Sequence, residues 1–177
     1  MEPTNYCYDF IARYEGCPTE VFNGERRAVP YIDVTGHPTI GYGRLLTWDQ
    51  YRYYKSVNGI TLEDARRFLI EDVDRFSRGV QKLVKVPLKD YQLDSLVSFS
   101  YNVGLANFKK STLLKKLNSK DYNGAANEFT RWVYSKGKKL PGLVSRREAE
   151  KRMFINNPPR DYNPSLADAY FKLLTEE

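Results

Sequence analysis

Seven apolar residues, Leu62, Ala65, Leu69, Val73, Phe76, Val80 and Leu83, recur at steps of three and four through a segment without proline. That is the period of one helix face, sustained over about 24 residues or about 36 Å. Thr61 stands where an N-cap belongs, Asp64 follows three residues on, and Pro87 stops the run. A helix this long exceeds what one small core can cover, so it serves as a spine joining two lobes.

The other elements arrange themselves around that spine. Residues 5–15 read as a short helix with Phe10, Ile11 and Tyr14 on one side and Gly16 as terminator. Residues 17–30, with Gly, two Pro, Asn and the run Glu25-Arg26-Arg27, read as loop. Residues 31–47 alternate short extended pieces with the turn Val34-Thr35-Gly36-His37, a small β-hairpin region. Helices are expected at 89–103, ended by Gly104, and at 110–118, 121–132 and 143–156. In the tail, Asn163 and Pro164 open a further helix with Leu166, Ala169, Tyr170, Leu173 and Leu174 on one face. The expected class is α+β, mostly helical, with a small N-terminal β lobe joined by the long helix to a helical C-terminal lobe. Its 177 residues fit one domain of two lobes, with 157–177 as an added tail.

Charge is unevenly spread. Residues 107–153 carry 13 basic and 4 acidic side chains, a balance of +9 in a chain whose net charge is +6, so the remainder is acidic. A basic region of this kind draws polyanions: nucleic acid, anionic lipid or an anionic cell wall, unless it is only a solvated surface. No His/Cys cluster suggests a metal site, and no cofactor motif appears.

Cys7 and Cys17 are too few for a disulfide framework. On one continuous helix they would stand about 15 Å apart, too far to bridge unless the chain bends at Gly16, so free thiols in a reducing compartment are expected. Residues 1–10 lack the basic and apolar blocks of a signal peptide, and no stretch approaches the ~18 apolar residues of a membrane span. Accumulation in the cytosol is the expectation, with release by another agent if the substrate lies outside.

Three residues suggest chemistry. Glu15 falls in the last turn of the first helix, where the negative end of the dipole and partial burial favour its protonated form. A general acid needs that proton; an ordinary helix-end glutamate is the plainer reading. Asp33 and Thr39 flank a turn containing Gly36, and a carboxylate beside a hydroxyl can hold and polarise a water. Turn chemistry alone would account for Asp33, and β-propensity for Thr39. Gly41 and Gly43 flank Tyr42, either admitting a ligand to the backbone or marking an irregular strand. One carboxylic acid and one carboxylate on opposite walls of a cleft is the plan of glycoside hydrolysis.

Glu15-Gly16, Tyr31-Ile32-Asp33 and Gly36-His37-Pro38-Thr39-Ile40-Gly41-Tyr42-Gly43 together resemble the Glu…Asp…Thr signature of the phage lysozymes, glycoside hydrolase family 24, in its lambdoid-phage branch. Phe99 to Gly104, Ser111 to Asn118, Arg131-Trp132 and Pro141 to Glu150 fit the same family, so the resemblance spans roughly residues 8–156. It implies a muramidase that cleaves peptidoglycan in host-cell lysis, working as a monomer without cofactor, nucleic acid or membrane insertion. Glu15 would protonate the leaving oxygen, and Asp33 with Thr39 would handle the water. Gly41, Tyr42, Gly43, Tyr101, Asn102 and Arg146 would line the substrate site, although Tyr101 equally fits a core aromatic. Arg146 matches an arginine that pairs with the catalytic glutamate, which would oppose the helix dipole at Glu15. A lytic transglycosylase, a virion-associated entry lysozyme and a non-catalytic binding module are the alternatives; the Asp33–Thr39 pair weighs against the first and the complete acidic set against the last.

Two departures stand out. Seventeen residues separate Glu15 from Asp33, about nine more than the family usually has, a surface insertion that costs little in loop entropy. Arg44 follows Gly43 where the family commonly has histidine, and the only histidine, His37, sits in the turn.

Overall fold

The computed structural model describes residues 1–156. The tail helix expected at 157–177 lies outside the described residues. The class is α+β and mostly helical, as the periodicity implies. The described chain forms two compact units, one built from Tyr8–Asp72 and the other from Met1–Cys7 together with the chain from Val73 onward.

Helix α1 (Asn5–Glu15) ends where expected: Gly16 takes a left-handed backbone and its N–H closes on Ala12 O at 3.0 Å. The next segment corrects the loop expected at 17–30. Strands β1 (Thr19–Phe22) and β2 (Glu25–Ala28) form an antiparallel hairpin, and β6 (Ile60–Thr61) pairs with β2. Asn23 and Gly24 both take positive φ, 51° and 81°, the two-residue turn that matches strand twist. Arg27 fastens the insertion, donating from Nε to Asn58 O at 2.8 Å and from Nη2 to Gly59 O at 3.1 Å.

A second antiparallel sheet has the order β3 (Tyr31–Ile32), β4 (Pro38–Ile40), β5 (Arg44–Leu45). Pro38, Thr39 and Ile40 are all buried, which makes β4 the centre of this unit in packing as well as in pairing. Helix α2 (Trp48–Ser56) is held by a complete capping box between Thr47 and Gln50 and buries none of its residues. Helix α3 (Leu62–Leu83) realises the stripe, with Ala65, Leu69, Val73 and Val80 at or near zero exposure and Thr61 Oγ1 accepting from Asp64 N at 3.0 Å. Arg44 ties β5 to it: Nε donates to Asp72 Oδ2 at 3.0 Å, Nη2 to Glu71 Oε2 at 3.0 Å, and the guanidinium stacks 3.9 Å over the Phe68 ring.

In the other unit, α4 (Asp90–Val103) is the central helix, buried continuously from Leu93 to Ser100. Around it run α5 (Leu105–Lys110), α6 (Thr112–Asn118), α7 (Tyr122–Glu128), a 3-10 turn at Phe129–Arg131, a short hairpin of β7 (Tyr134–Ser135) with β8 (Lys138–Lys139), and α8 (Pro141–Ile155). The core is aromatic. Phe99 makes edge-on contacts with Phe108, Phe129 and Trp132 at centroid distances of 6.2, 5.3 and 5.4 Å, and Phe129 continues to Phe154.

One buried polar cluster joins α4 to α8. Glu150 is fully buried and accepts from Ser98 Oγ at 2.7 Å and Arg146 Nε at 3.1 Å. Arg147 Nη2 donates to the same Glu150 Oε1 at 3.0 Å, while Arg147 Nε stands 2.7 Å from Oε2 but out of line for a hydrogen bond. Two guanidinium groups thus share one buried carboxylate, so removing Glu150 would take a counter-charge from both.

Candidate active site

The residues proposed for chemistry begin at the end of α1. Glu15 is its last residue and is half-buried. The carbonyls of that last turn give it the negative end of the helix dipole.

Asp33 and Thr39 lie on the β3–β4 corner. Thr39 pairs directly across from Tyr31, and the side chains of such a pair share a face of the sheet. Asp33 follows β3 and opens a tight turn, closed by Gly36 N to Asp33 O at 3.0 Å and Asp33 N to His37 O at 2.9 Å. Its Oδ1 accepts three hydrogen bonds: from Thr35 N at 2.9 Å, Thr35 Oγ1 at 2.7 Å and His37 N at 2.8 Å. Oδ2 takes none among the described residues. Burial of Asp33 disfavours its charge, but the bonds from His37 and Thr35 outweigh that and leave the carboxyl below its ordinary range. Asp33 is therefore ionised at neutral pH, as a base must be.

Thr39 is 1 % exposed, and its hydroxyl donates to His37 O at 2.9 Å. The proton of that hydroxyl is committed to the turn, so toward any further partner Thr39 is an acceptor. His37 is exposed and belongs to the turn, as its place in the sequence suggests.

Tyr31 is the residue that sequence reasoning leaves out of the site. Burial drives its phenol well above the ordinary tyrosine value, and Glu15, Cys17 and Asp33 push the same way, against a hydrogen bond from Gly43. It stays neutral and within electrostatic reach of both acids. Its hydroxyl also faces Gly41 O at 3.4 Å. Only the strand register, which sets Tyr31 against Thr39, could have marked it from sequence.

Gly41 and Gly43 adopt φ of 63° and 95°, so left-handed backbone accounts for both glycines between β4 and β5. Tyr42 between them is 7 % exposed and counts with the core. In the other unit Tyr101 is half-buried against Phe76 at 5.1 Å, Asn102 is exposed, and Arg146 is buried on Glu150 and Ser98. Cys7 and Cys17 are free thiols, both raised by burial, Cys17 to about 11. Among the described residues no group of His, Cys, Asp and Glu could hold a metal, and no helix is long and apolar enough to cross a membrane.

The phage lysozyme profile matches residues 14–150, which include Glu15, Asp33 and Thr39. The endolysin of Bacillus phage B103 is 40% identical over 156 residues, covering 86% of this chain and 54% of its own length. The chain thus spans about half the length of that relative. The endolysin of Acyrthosiphon pisum secondary endosymbiont phage 1 is 39% identical over 149 residues, 81% of this chain and 91% of its own. Among solved structures, the muramidase domain of SpmX from Asticaccaulis excentricus superimposes with a TM-score of 0.69 at 28% identity, covering 86% of this chain and 97% of that domain. A profile that runs through most of the chain, and relatives near 40% identity, place it: the chain belongs to the phage lysozyme family.

Proposed function

We propose that the protein is a muramidase that hydrolyses the β-1,4 bond between N-acetylmuramic acid and N-acetylglucosamine in bacterial peptidoglycan, as an endolysin acting on the host wall after release from the cytoplasm. Membership of the phage lysozyme family supports the reaction class. The observation that carries the mechanism is the state of Asp33: ionised, held by three donors on one oxygen, with the other oxygen left to accept.

Glu15 protonates the glycosidic oxygen as the bond breaks. Asp33 Oδ2 accepts one proton of an attacking water. Thr39, whose own proton goes to His37 O, accepts the second hydrogen bond of that water and fastens the turn that carries Asp33. A water bound by two acceptors keeps a lone pair free for the anomeric carbon. Gly41, Gly43, Tyr101 and Asn102 contribute to sugar binding, while Tyr42 and Arg146 are buried and support their own units. The chain works as a single catalytic domain and a monomer, without cofactor.

Mass spectrometry of peptidoglycan digested by the purified protein tests this. Fragments ending in reducing N-acetylmuramic acid are expected. Predominantly anhydro-muramic ends would assign the protein to the lytic transglycosylases, whose chemistry leaves Asp33 without a task.

A further inference from the structure

The turn that carries Asp33 holds one side chain, His37, that the mechanism above does not use, and another, Thr35, that it uses only as a donor to the carboxylate. Thr35 Oγ1 lies 2.7 Å from Asp33 Oδ1 and 2.6 Å from His37 Nδ1. The carboxylate and the imidazole nitrogen are themselves 3.8 Å apart, and the His37 side chain is 62% exposed.

Counting protons gives this chain a direction. A hydroxyl has one proton to donate, and an ionised carboxylate can only accept. The Thr35 proton must therefore go to Asp33 for that bond to exist. The contact with His37 is then a hydrogen bond only when Nδ1 carries a proton and donates it to Thr35 Oγ1. A bare Nδ1 would compete for the same hydroxyl proton and take a donor from Asp33. The order is His37 Nδ1–H to Thr35 Oγ1, then Thr35 Oγ1–H to Asp33 Oδ1.

We infer that Thr35 and His37 are positioning residues for Asp33, and that the protonation and tautomer of the His37 ring set, through the Thr35 hydroxyl, how firmly Asp33 is held and how basic its free oxygen is. The inference rests on the reading of Asp33 as the base toward water. An imidazolium donates from Nδ1 and adds a positive charge beside the carboxylate. A neutral ring with its proton on Nδ1 donates without the charge, and one with its proton on Nε2 donates nothing to Thr35. Among the described residues the titratable side chain that acts on this carboxylate is His37, on the same turn; Tyr31 on β3 is itself raised by Asp33, Glu15 and Cys17. The bonds from Thr35 and from the His37 backbone act to lower Asp33.

The test is a titration of the Asp33 carboxyl by carbon-13 NMR on the full chain, paired with the pH profile of kcat/KM on peptidoglycan. Thr35→Val removes a donor to the carboxylate and should raise the Asp33 titration by about one pH unit, the worth of one charge-assisted hydrogen bond; His37→Phe removes the donor to Thr35 and should raise it in the same direction by less, and both should move the acidic limb of the rate profile upward. Thr35→Ser and His37→Asn restore the donor, since an asparagine amide N–H can sit where Nδ1 does, and should restore the titration. An unmoved Asp33 titration in Thr35→Val and His37→Phe overturns the inference, as does a His37→Asn variant that behaves like His37→Phe. Asp33→Asn separates the two readings. If it keeps full activity while the titrations shift as expected, the hydrogen-bond chain stands and the assignment of Asp33 as base falls.

Discussion

Gly59 lies so close to Ala28 that a β-carbon on it would stand 1.9 Å from the Ala28 carbonyl oxygen. Its φ is +76°, so two constraints fall on one residue. Gly59→Ala cannot keep the β2–β6 pairing. It is expected to destabilise the protein by more than about 2 kcal/mol, measured by chemical unfolding. A change within about 0.5 kcal/mol of wild type would mean that the hairpin is not held against β6 in solution.

Glu15→Gln keeps the shape of the side chain and removes the transferable proton. Loss of about 10²–10⁴-fold in lytic rate is expected, with an unchanged unfolding midpoint. Activity at the wild-type level would take Glu15 out of the mechanism.

Asp33 lies below its ordinary carboxyl value, and the sign of its contribution follows. The stabilisation is fully present above the unfolded value of about 3.9 and is lost as pH falls through the lower folded value. Wild type should exceed Asp33→Asn in stability at neutral pH, with the gap closing in the acid range. A gap that stays constant down to the acid unfolding transition would show that charge is not what the turn recognises.

Rates on whole walls should fall as salt rises. Lys109, Lys110, Lys115, Lys120, Lys138 and Lys139 are exposed, and the first three line an open depression of about 420 Å³. Arg146 and Arg147 are buried, so the surface field rests on the lysines with the exposed Arg131 and Arg152. Screening cuts their reach to about 8 Å at physiological ionic strength. A salt-independent rate would leave the lysines as mere solvation.

Stereochemistry tests the water between Asp33 and the sugar. Inversion is expected, seen by proton NMR as initial α-anomer from the β-linked chain. Initial β-anomer, or a glycosyl adduct on Asp33, would make Asp33 a nucleophile.

Sequence reading reaches the long helix, because α3 packs the stripe that its residues announce. It reaches the bounds of α1 and α4 too, because Gly16 and Gly104 punctuate them. It assigns 17–30 to loop on its Gly, two Pro, Asn and the run Glu25-Arg26-Arg27, yet Asn23-Gly24 was a hairpin signal in plain view. Helix α2 escapes notice since it buries nothing, and only Thr47 and Gln50 betray it. At the site, the types of Glu15, Asp33 and Thr39 are legible. What Tyr31 touches is not, because its neighbours come together only through strand register.

Every hydrogen bond to Asp33 Oδ1 comes from Thr35 or His37, within four residues along the chain. Such a turn has almost no loop to close, and loops of about 10 residues already close in about 10–100 ns. The carboxylate can acquire its donors long before either sheet is assembled. Its orientation is then a property of a pentapeptide, portable in principle to another scaffold and indifferent to the hairpin inserted just upstream.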